Sequence, residues 1–275
     1  MRNLIKIKEN PKQRRRGLVN WNLRDNLKFE ARIRLKLSNG GWECLSFIVK
    51  KDMNAFSAAL HEYLNLIFKQ TESKYLIASA DIPVQELPII KNIKSSLLFG
   101  KTPLELKELD AFLKLYPNHD SLFIGPKIIG QLTDESEILK LKNIQISPQF
   151  GWNLLEVFTG RNIRLSEAEV ITEAKITEII RKWMASEKLQ NLESLEFRFY
   201  MQNILPENVV ESLETERFNP AVRPQVYHYD PKLVYIMPED INLSGDNCYD
   251  VIRESDGKRA TLYFDSQSFK LLVWN

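Results

Sequence analysis

Alternating apolar and charged positions first become regular near residue 28. Apolar side chains there occupy every second position, at Phe29, Ala31, Ile33, Leu35 and Leu37. The positions between them are mostly basic, a pattern typical of a strand with one buried and one solvated face. The turn-forming residues Ser38-Asn39-Gly40-Gly41 follow, and a second apolar run extends from Trp42 to Val49. We therefore predict a β-hairpin between residues 28 and 49.

Five later stretches repeat apolar residues at intervals of three and four, which predicts amphipathic helices. They begin near Asn54, at Thr102-Pro103-Leu104-Glu105, around Trp152, near Thr172 and at Pro206. The second start combines a capping hydroxyl, a proline at the first helical position and a carboxylate at the third, so we interpret it as a capping box. That helix should continue to Pro117, and the one around Trp152 should end at Gly160.

Short apolar runs between these helices predict strands. They are Tyr75 to Ala80, Ser121 to Ile124, Asn143 to Ile146, Asn162 to Leu165 and Leu192 to Tyr200. Steps of roughly 20 to 30 residues from strand to strand are typical of a leucine-rich-repeat-like β-α stack. A plain open α/β sheet is the alternative.

The C-terminal part begins with residues 218–238, which contain four prolines and no clear period, so we expect a loop or an edge. Regular strands follow at Tyr249 to Arg253, Ala260 to Phe264 and Phe269 to Trp274, and Asp256-Gly257 supplies a hairpin turn. The predicted fold is α+β, with an N-terminal β-hairpin and helix, an irregular leucine-rich-repeat-like β-α stack and a C-terminal antiparallel meander.

Composition changes this picture at the N-terminus. The 275 residues are 44% hydrophobic and 27% charged, enough for a folded core, and the formal net charge is +2. Residues 1–36, however, contain 12 basic and 3 acidic residues, a net charge of +9, and the remaining residues carry −7. We expect residues 1–27 to be a flexible basic segment and residues 28–275 to be the folded domain.

The basic run Arg14-Arg15-Arg16 is a candidate for phosphate contact or for a nuclear import signal. It lacks the interleaved aromatic residues of a base-stacking surface, so we favour a solvated linker and do not expect nucleic acid as the main partner. The chain has no apolar run of the roughly 18 residues that a membrane span needs. Its start is too charged for a signal peptide, and we expect an intracellular protein, cytoplasmic or nuclear, without a membrane partner.

Chemistry-bearing residues do not form a recognisable catalytic or metal pattern. Cys44 and Cys248 lie far apart, and Cys44 falls inside a predicted strand, where a buried inert thiol is expected. Neither His61, His119 nor His228 has partners at triad or ligand spacing. Phosphate-binding glycine loops and a nucleophile elbow are missing from the sequence as well. We therefore predict no enzyme activity, no cofactor and no metal.

Two passages of the sequence resemble a known family. The helix-to-strand passage contains KITEIIRKWM and LQNLESLEF, and the C-terminal hairpin contains DGKRATLYF and FKLLVW. Together with the preceding hairpin and Leu/Phe-rich helix, they resemble the F-box-associated domain, type 2, of nematode F-box proteins, over residues 28 to 274. That resemblance implies a non-enzymatic module that recruits the target protein of a cullin ubiquitin ligase.

The family pattern also includes an N-terminal F-box, which docks on the ligase adaptor. An F-box needs about 40 to 50 residues, and the 27 mostly polar residues before the hairpin are too few, so we expect this chain to lack one and doubt adaptor binding. The target protein is not identified by any motif. Outward positions of the last strand of the stack, Glu193, Glu196 and Arg198, are the candidate protein contacts. The alternative function is a basic-armed nuclear or nucleic-acid-associated protein.

Overall fold

The computed structural model describes residues 6–8, 18–22, 28–38, 41–48, 74–87, 90, 93–168, 171–199, 204–221, 223–230, 240–243 and 247–274. Its fold is α+β, as predicted, and it contains a large mixed sheet. The chain forms two compact units. The first contains residues 1–71 and 86–90, and the second contains residues 72–85 and 91–275. The predicted hairpin lies within the first of these units.

The first unit contains a four-stranded antiparallel sheet in chain order. Its strands are β1 (Lys6–Lys8), β2 (Leu18–Asn22), β3 (Lys28–Ser38) and β4 (Gly41–Ile48). Ser38 pairs with Gly41, which confirms the predicted hairpin. Strands β1 and β2 lie within residues 1–27, the segment that the sequence predicts to be flexible. In the structure, Leu18 to Asn22 of this segment pair with β3. The helix predicted from Asn54 lies outside the described residues.

The second unit is built on a ten-stranded sheet with the order β13-β16-β17-β18-β12-β11-β10-β8-β6-β5. Its strands, with the four strands of two small separate ladders, are β5 (Lys74–Ser79), β6 (Ile93–Phe99), β7 (Leu104–Glu105), β8 (Ser121–Ile124), β9 (Ile128–Ile129), β10 (Asn143–Ile146), β11 (Asn162–Ala168), β12 (Ser194–Phe199), β13 (Glu216–Arg217), β14 (Val226–Tyr227), β15 (Ile241–Asn242), β16 (Cys248–Ile252), β17 (Arg259–Phe264) and β18 (Ser268–Val273). Strands β5 to β12 of this sheet are parallel and follow chain order. This is the topology of a β-α stack rather than of a doubly wound sheet, in which the order reverses.

The last four strands of the sheet are antiparallel. Strand β18 pairs with β12, and β17, β16 and β13 continue outwards from it. The turn between β16 and β17 contains Gly257, whose φ of 68° suits a residue without a side chain. The predicted C-terminal meander is confirmed, and it extends the parallel stack by direct strand pairing.

Four helices of the second unit are α1 (Leu106–Leu115), α2 (Pro148–Leu155), α3 (Glu173–Met184) and α4 (Pro206–Val210). Helix α3 is capped as predicted, since Thr172 Oγ1 accepts a hydrogen bond from Lys175 N at 3.3 Å. Helix α2 ends at Leu155, before the predicted Gly160. No helix in the described part of the chain is long and apolar enough to cross a membrane.

The predicted capping box at Thr102 is wrong. The hydroxyl of Thr102 donates to Asp81 Oδ1 at 2.6 Å, so it does not cap a helix. Leu104 and Glu105 extend instead as β7, which pairs with β9 in parallel. Helix α1 therefore begins only at Leu106, without a side-chain cap. The long-range partner Asp81 competes successfully with the local pattern, and this competition is invisible in the four residues themselves.

One face of the large sheet forms the core. A row of fully buried side chains crosses six neighbouring strands in register: Leu122, Ile144, Ile163, Leu195, Leu271 and Leu262. Helix α2 lies so close to this face that a Cβ on Gly151 would meet Leu165 Cδ2 at 2.3 Å. Trp152 of α2 stacks near Phe197 of β12, with the ring centroids 5.2 Å apart. The residues that alternate with this row, such as Asn143, Gln145, Arg164 and Glu196, lie on the opposite face of the sheet. We call it the polar face.

Candidate functional site

Buried amides and hydroxyls line the polar face near the start of its parallel strands. Asn162 Nδ2 donates to Asn143 Oδ1 at 2.8 Å, and Asn143 Nδ2 donates to Ser121 Oγ at 3.0 Å. Ser194 Oγ donates to Asn162 Oδ1 at 2.6 Å. We call these four side chains the asparagine ladder. Since all four are buried, each bond satisfies a group that would otherwise be stranded away from water.

Two residues further along the strands the polar face carries charges. Arg164 of β11 and Glu196 of β12 are register partners, and Arg164 Nε donates to Glu196 Oε2 at 2.7 Å. Arg198, also on β12, donates through Nε to the other oxygen, Glu196 Oε1, at 2.7 Å. We call these three residues the charged cluster. One carboxylate thus holds two guanidinium groups, and the cluster has a net charge of +1.

The members of the charged cluster differ in their access to solvent. The side chain of Glu196 is 0% exposed and that of Arg164 is 5% exposed, whereas that of Arg198 is 48% exposed. Burial lowers the pKa of Arg164, and the adjacent Glu196 carboxylate opposes that effect. Because Glu196 accepts from its Nε, the exposed Arg198 side chain has a defined orientation on this face.

A cavity of about 460 Å³ opens beside the charged cluster. Lys270 of β18 and Asp265 of the preceding turn line its other side, with Lys270 Nζ 2.8 Å from Asp265 Oδ2. Lys270 Nζ also donates to Ser268 and lies 5.1 Å from the ring centroid of Tyr263. Burial favours a higher pKa for Asp265, but hydrogen bonds from Lys270 and Ser268 outweigh it and lower the pKa. The positive charge of Lys270 is therefore balanced by the carboxylate of Asp265.

The segment around β14 and β15 forms the third wall of the cavity. Tyr229 lines the cavity and is only 9% exposed, and burial raises its pKa above the usual range of a phenol. The neighbouring Tyr227 hydroxyl donates to Glu193 O at 2.9 Å, which attaches this segment to the start of β12. Both tyrosines belong to a buried cluster with Ile241, Leu243, Cys248 and Leu272. The wall is thus held by packing as well as by hydrogen bonds.

On strands β6 and β8, the polar face carries apolar side chains. Phe99 of β6 is 48% exposed, and its ring centroid lies 6.0 Å from that of Phe123 on β8. Leu97, the register partner of Phe123, is partly exposed beside them. These three neighbouring side chains give this part of the face an apolar surface. We call Leu97, Phe99 and Phe123 the apolar patch.

The structure separates the three predicted contact residues. Arg198 is exposed on the polar face, but Glu196 is fully buried beneath it, so the expectation that Glu196 faces solvent is wrong. Glu193 precedes β12, and its carboxylate lies 3.3 Å from Arg161 Nη1, away from the charged cluster. Arg14, Arg15 and Arg16 lie outside the described residues.

The histidines occupy two different settings. The ring of His119 bridges Ser96 Oγ at 2.5 Å and Tyr116 O at 2.6 Å, and burial lowers its pKa. His228 is exposed, with Nδ1 2.8 Å from Asp240 Oδ2, which lines the cavity. His61 and the Cys44 side chain lie outside the described residues. Within the described ranges no group of three or more His, Cys, Asp or Glu side chains could hold a metal ion.

Sequence reasoning missed Arg164, Lys270 and Tyr229. A signal for Arg164 exists, since the predicted strands Ser-Leu-Phe-Ile, Asn-Ile-Gln-Ile and Asn-Ile-Arg-Leu share one phase, with apolar residues second and fourth. Aligning them in parallel register places Arg164 beside Gln145 on one face. Tyr229 lies in the stretch without period and offers no comparable signal.

Comparison of the chain with models of known protein families, with curated proteins and with solved structures gives no match.

Proposed function

We propose that this chain is a non-enzymatic protein-binding module, similar in role to the substrate-recruiting region of F-box proteins, and that the polar face of its large sheet contacts the partner. The observation that supports this most is Arg198, which is held by the buried Glu196 at 2.7 Å and is still 48% exposed. Interfaces favour such arginines because their geometry is fixed before the partner arrives. The exposed Phe99 adds an apolar contact on the same face.

The charges around the cavity support binding rather than catalysis. General acid–base work needs a group that exchanges a proton near neutral pH. Around this cavity Glu196 accepts from two arginines, and Asp265 accepts from Lys270 and Ser268. The phenol of Tyr229 has a raised pKa. Ion pairs of this kind hold the side chains of a binding surface in place.

Cross-linking in cells tests the proposed function. A photo-reactive amino acid placed at Gln267, an exposed residue that lines the cavity, should capture a defined partner. Arg198→Glu should abolish that capture, because it reverses the accessible charge. The matched control is Arg161→Glu, which changes another exposed arginine paired with a glutamate, outside the cavity. Capture that survives Arg198→Glu would overturn the proposal.

Coupling to a ligase is a separate question with its own test. The resemblance implies target recruitment, whereas residues 1–27 are not expected to dock on the adaptor. We therefore expect the purified chain not to retain a Skp-type adaptor in a pull-down. Retention by this chain alone would show that adaptor binding does not require a separate F-box.

The alternative function, a basic-armed nuclear or nucleic-acid-associated protein, depends on the net charge of +9 in residues 1–36. It predicts retention on heparin or DNA that falls steeply with salt and is lost when Arg14, Arg15 and Arg16 are all changed to alanine. If retention is the same after these three substitutions, the alternative function is excluded.

A further inference from the structure

The four-stranded sheet of the first unit divides its paired residues into two unlike faces. Alternate positions of β3 share one face with their register partners on β1, β2 and β4. We call it the basic face, and its charged positions are Lys6, Lys8, Lys28, Glu30, Arg32, Arg34, Lys36 and Glu43. The paired positions of the other face carry no charge and include Trp21, Phe29 and Trp42. The strand register therefore concentrates the charge of this sheet on one side.

The charges of the basic face are mostly of one sign. Six of its positions are basic and two are acidic, which gives a net charge of +4. Arg32, Arg34 and Lys36 alternate along β3, so neighbouring members of this row lie about 6.8 Å apart. This spacing is shorter than the Debye length of about 8 Å at physiological ionic strength, so salt does not fully screen their repulsion. A partner with regularly repeated negative charges relieves that repulsion.

The first unit as a whole has the same excess of positive charge. Residues 1–71 and 86–90 contain 15 basic and 7 acidic residues, a net charge of +8, whereas the second unit carries −6. The acidic residues of the first unit are thus too few to balance its basic residues, however they pair. This surplus favours a polyanionic partner.

The dimensions and residue types of the basic face favour a single nucleic-acid strand over a duplex. Four strands span about 14 Å, which is wider than the major groove of about 12 Å, so this face does not fit into the groove of a duplex. Asn20 and Asn22 are register partners of the two lysines of β1, and amides also contact phosphate and sugar. Phe47 is the register partner of Arg32, and an aromatic residue among basic ones is a position on which a base can stack.

We propose that the basic face binds single-stranded nucleic acid, with phosphates at the basic positions of β1 and β3 and one base stacked on Phe47. This binding goes beyond the protein-binding role of the large sheet and does not depend on it. It also differs from the basic-armed alternative, which assigns the binding to Arg14, Arg15 and Arg16.

Fluorescence anisotropy tests the choice of partner. The full chain is titrated into a fluorescein-labelled oligothymidylate of twelve nucleotides and into a duplex of the same length, between about 50 and 200 mM salt. We expect tighter binding of the single strand. If all six basic positions contact phosphates, the logarithm of the binding constant should fall with the logarithm of the salt concentration with a slope of about −4.

Two double variants locate the phosphate contacts. Arg32→Gln with Arg34→Gln should weaken binding of the single strand at least about tenfold and make the slope less steep by about 1.4, because two phosphate contacts are lost. The matched control is Arg14→Gln with Arg15→Gln, which removes the same charge outside the four strands and should leave the slope unchanged. The amide spectrum of each variant verifies that it is folded.

A third variant tests the stacked base. Phe47→Leu retains an apolar residue in β4 but removes the aromatic ring. It should weaken binding of the single strand about tenfold and leave the weak binding of the duplex unchanged, because only an unpaired base is free to stack.

Several results would overturn this inference. Affinity for the duplex that equals or exceeds that for the single strand is one, and unchanged binding of the single strand by Phe47→Leu is another. Tighter retention on phosphatidylserine vesicles than on the oligonucleotide at the same salt would assign the basic face to a lipid surface instead. A loss caused by the Arg14 and Arg15 changes but not by the Arg32 and Arg34 changes would assign the binding to the basic arm. Cross-linking at Gln267 is a separate measurement, so none of these results decides the proposed function.

Discussion

Arg164 and Glu196 face each other on adjacent parallel strands, with Nε 2.7 Å from Oε2, although 32 residues separate them in the chain. Their side chains are 5% and 0% exposed. Breaking a buried ion pair by removing one partner strands the other charge away from water. We therefore expect Glu196→Gln to lower the free energy of unfolding by about 3 kcal/mol, measured by urea denaturation at pH 7.

The matched control is Glu216→Gln. Glu216 pairs with Arg259 at 2.8 Å, but its side chain is 67% exposed. Surface ion pairs contribute less than about 1 kcal/mol, so this variant should unfold almost like the original protein. Replacing Arg164 and Glu196 together by methionine should recover much of the loss, because no buried charge then remains. Equal losses in the Glu196 and Glu216 variants would contradict the assignment of Glu196 as a buried charge.

Arg253 and Asp256 provide a pH-dependent test. Arg253 donates through Nε and Nη2 to the two oxygens of Asp256, at 2.9 and 2.6 Å. The hydrogen bond from Arg253 is the main reason that the pKa of Asp256 falls from 3.8 to about 2. A carboxyl with a depressed folded pKa stabilises the fold above its unfolded pKa, and the stabilisation is lost as the pH falls from 3.8 towards 2.

Carbon-detected NMR of the Asp256 carboxyl should show this titration near pH 2. In an Arg253→Met variant the midpoint should rise towards 3.8. Since Arg253 also donates to Gln190 O at 2.8 Å, the folded state of the variant is verified first by its amide spectrum. A midpoint that is the same in both proteins would show that Arg253 does not determine the pKa.

Much of the fold could be predicted because its signals are local. The runs Ser121 to Ile124 and Asn143 to Ile146 match β8 and β10 in full, since bounded apolar runs with alternating polar residues select strands. Helix α3 begins after Thr172 because a threonine can accept from the backbone three residues later. In each case the residues that decide the structure are neighbours in the sequence.

The candidate site depended on contacts that no local pattern contains. Glu196 was expected to face solvent because it alternates with Leu195 and Phe197, and that alternation does place it on the polar face. Its buried carboxylate accepts from Arg164, on another strand, which the sequence does not pair with it. Thr102 shows the same effect, since Asp81 lies 21 residues away. Strand register and side-chain partners of this kind are properties of the folded chain.

His119 should make stability depend on pH near neutrality. Burial lowers the pKa of this imidazole below its value of 6.5, so the unfolded chain takes up a proton before the folded one does. The stability contributed by neutral His119 is present above pH 6.5 and is lost as the pH falls below it, by at most about 1.4 kcal/mol per pH unit. Urea midpoints at pH 7.5 and 5.5 measure this loss.

Two variants isolate the effect of His119. His119→Gln should reduce the difference between the two pH values, because glutamine does not titrate. His119→Asn is the second variant, and it should reduce the difference in the same way because asparagine does not titrate either. If the pH dependence of His119→Gln equals that of the original protein, other groups are responsible.

Asn162 is the central member of the asparagine ladder, and its replacement should be costly. Its amide donates to Asn143 at 2.8 Å, and its carbonyl oxygen accepts from Ser194 at 2.6 Å. Asn162→Ala leaves two buried partners unsatisfied, so the free energy of unfolding should fall by about 2 to 4 kcal/mol. Asn162→Asp keeps the acceptor for Ser194 but removes the donor to Asn143 and buries a charge, and it should be no better tolerated.

The matched control is Asn191→Ala, because the Asn191 amide donates to Thr159 O at 3.0 Å at an exposed position. Since water can replace that bond, its loss should be under about 1 kcal/mol, and an Asn162→Ala variant as stable as Asn191→Ala would show that the ladder does not stabilise the sheet.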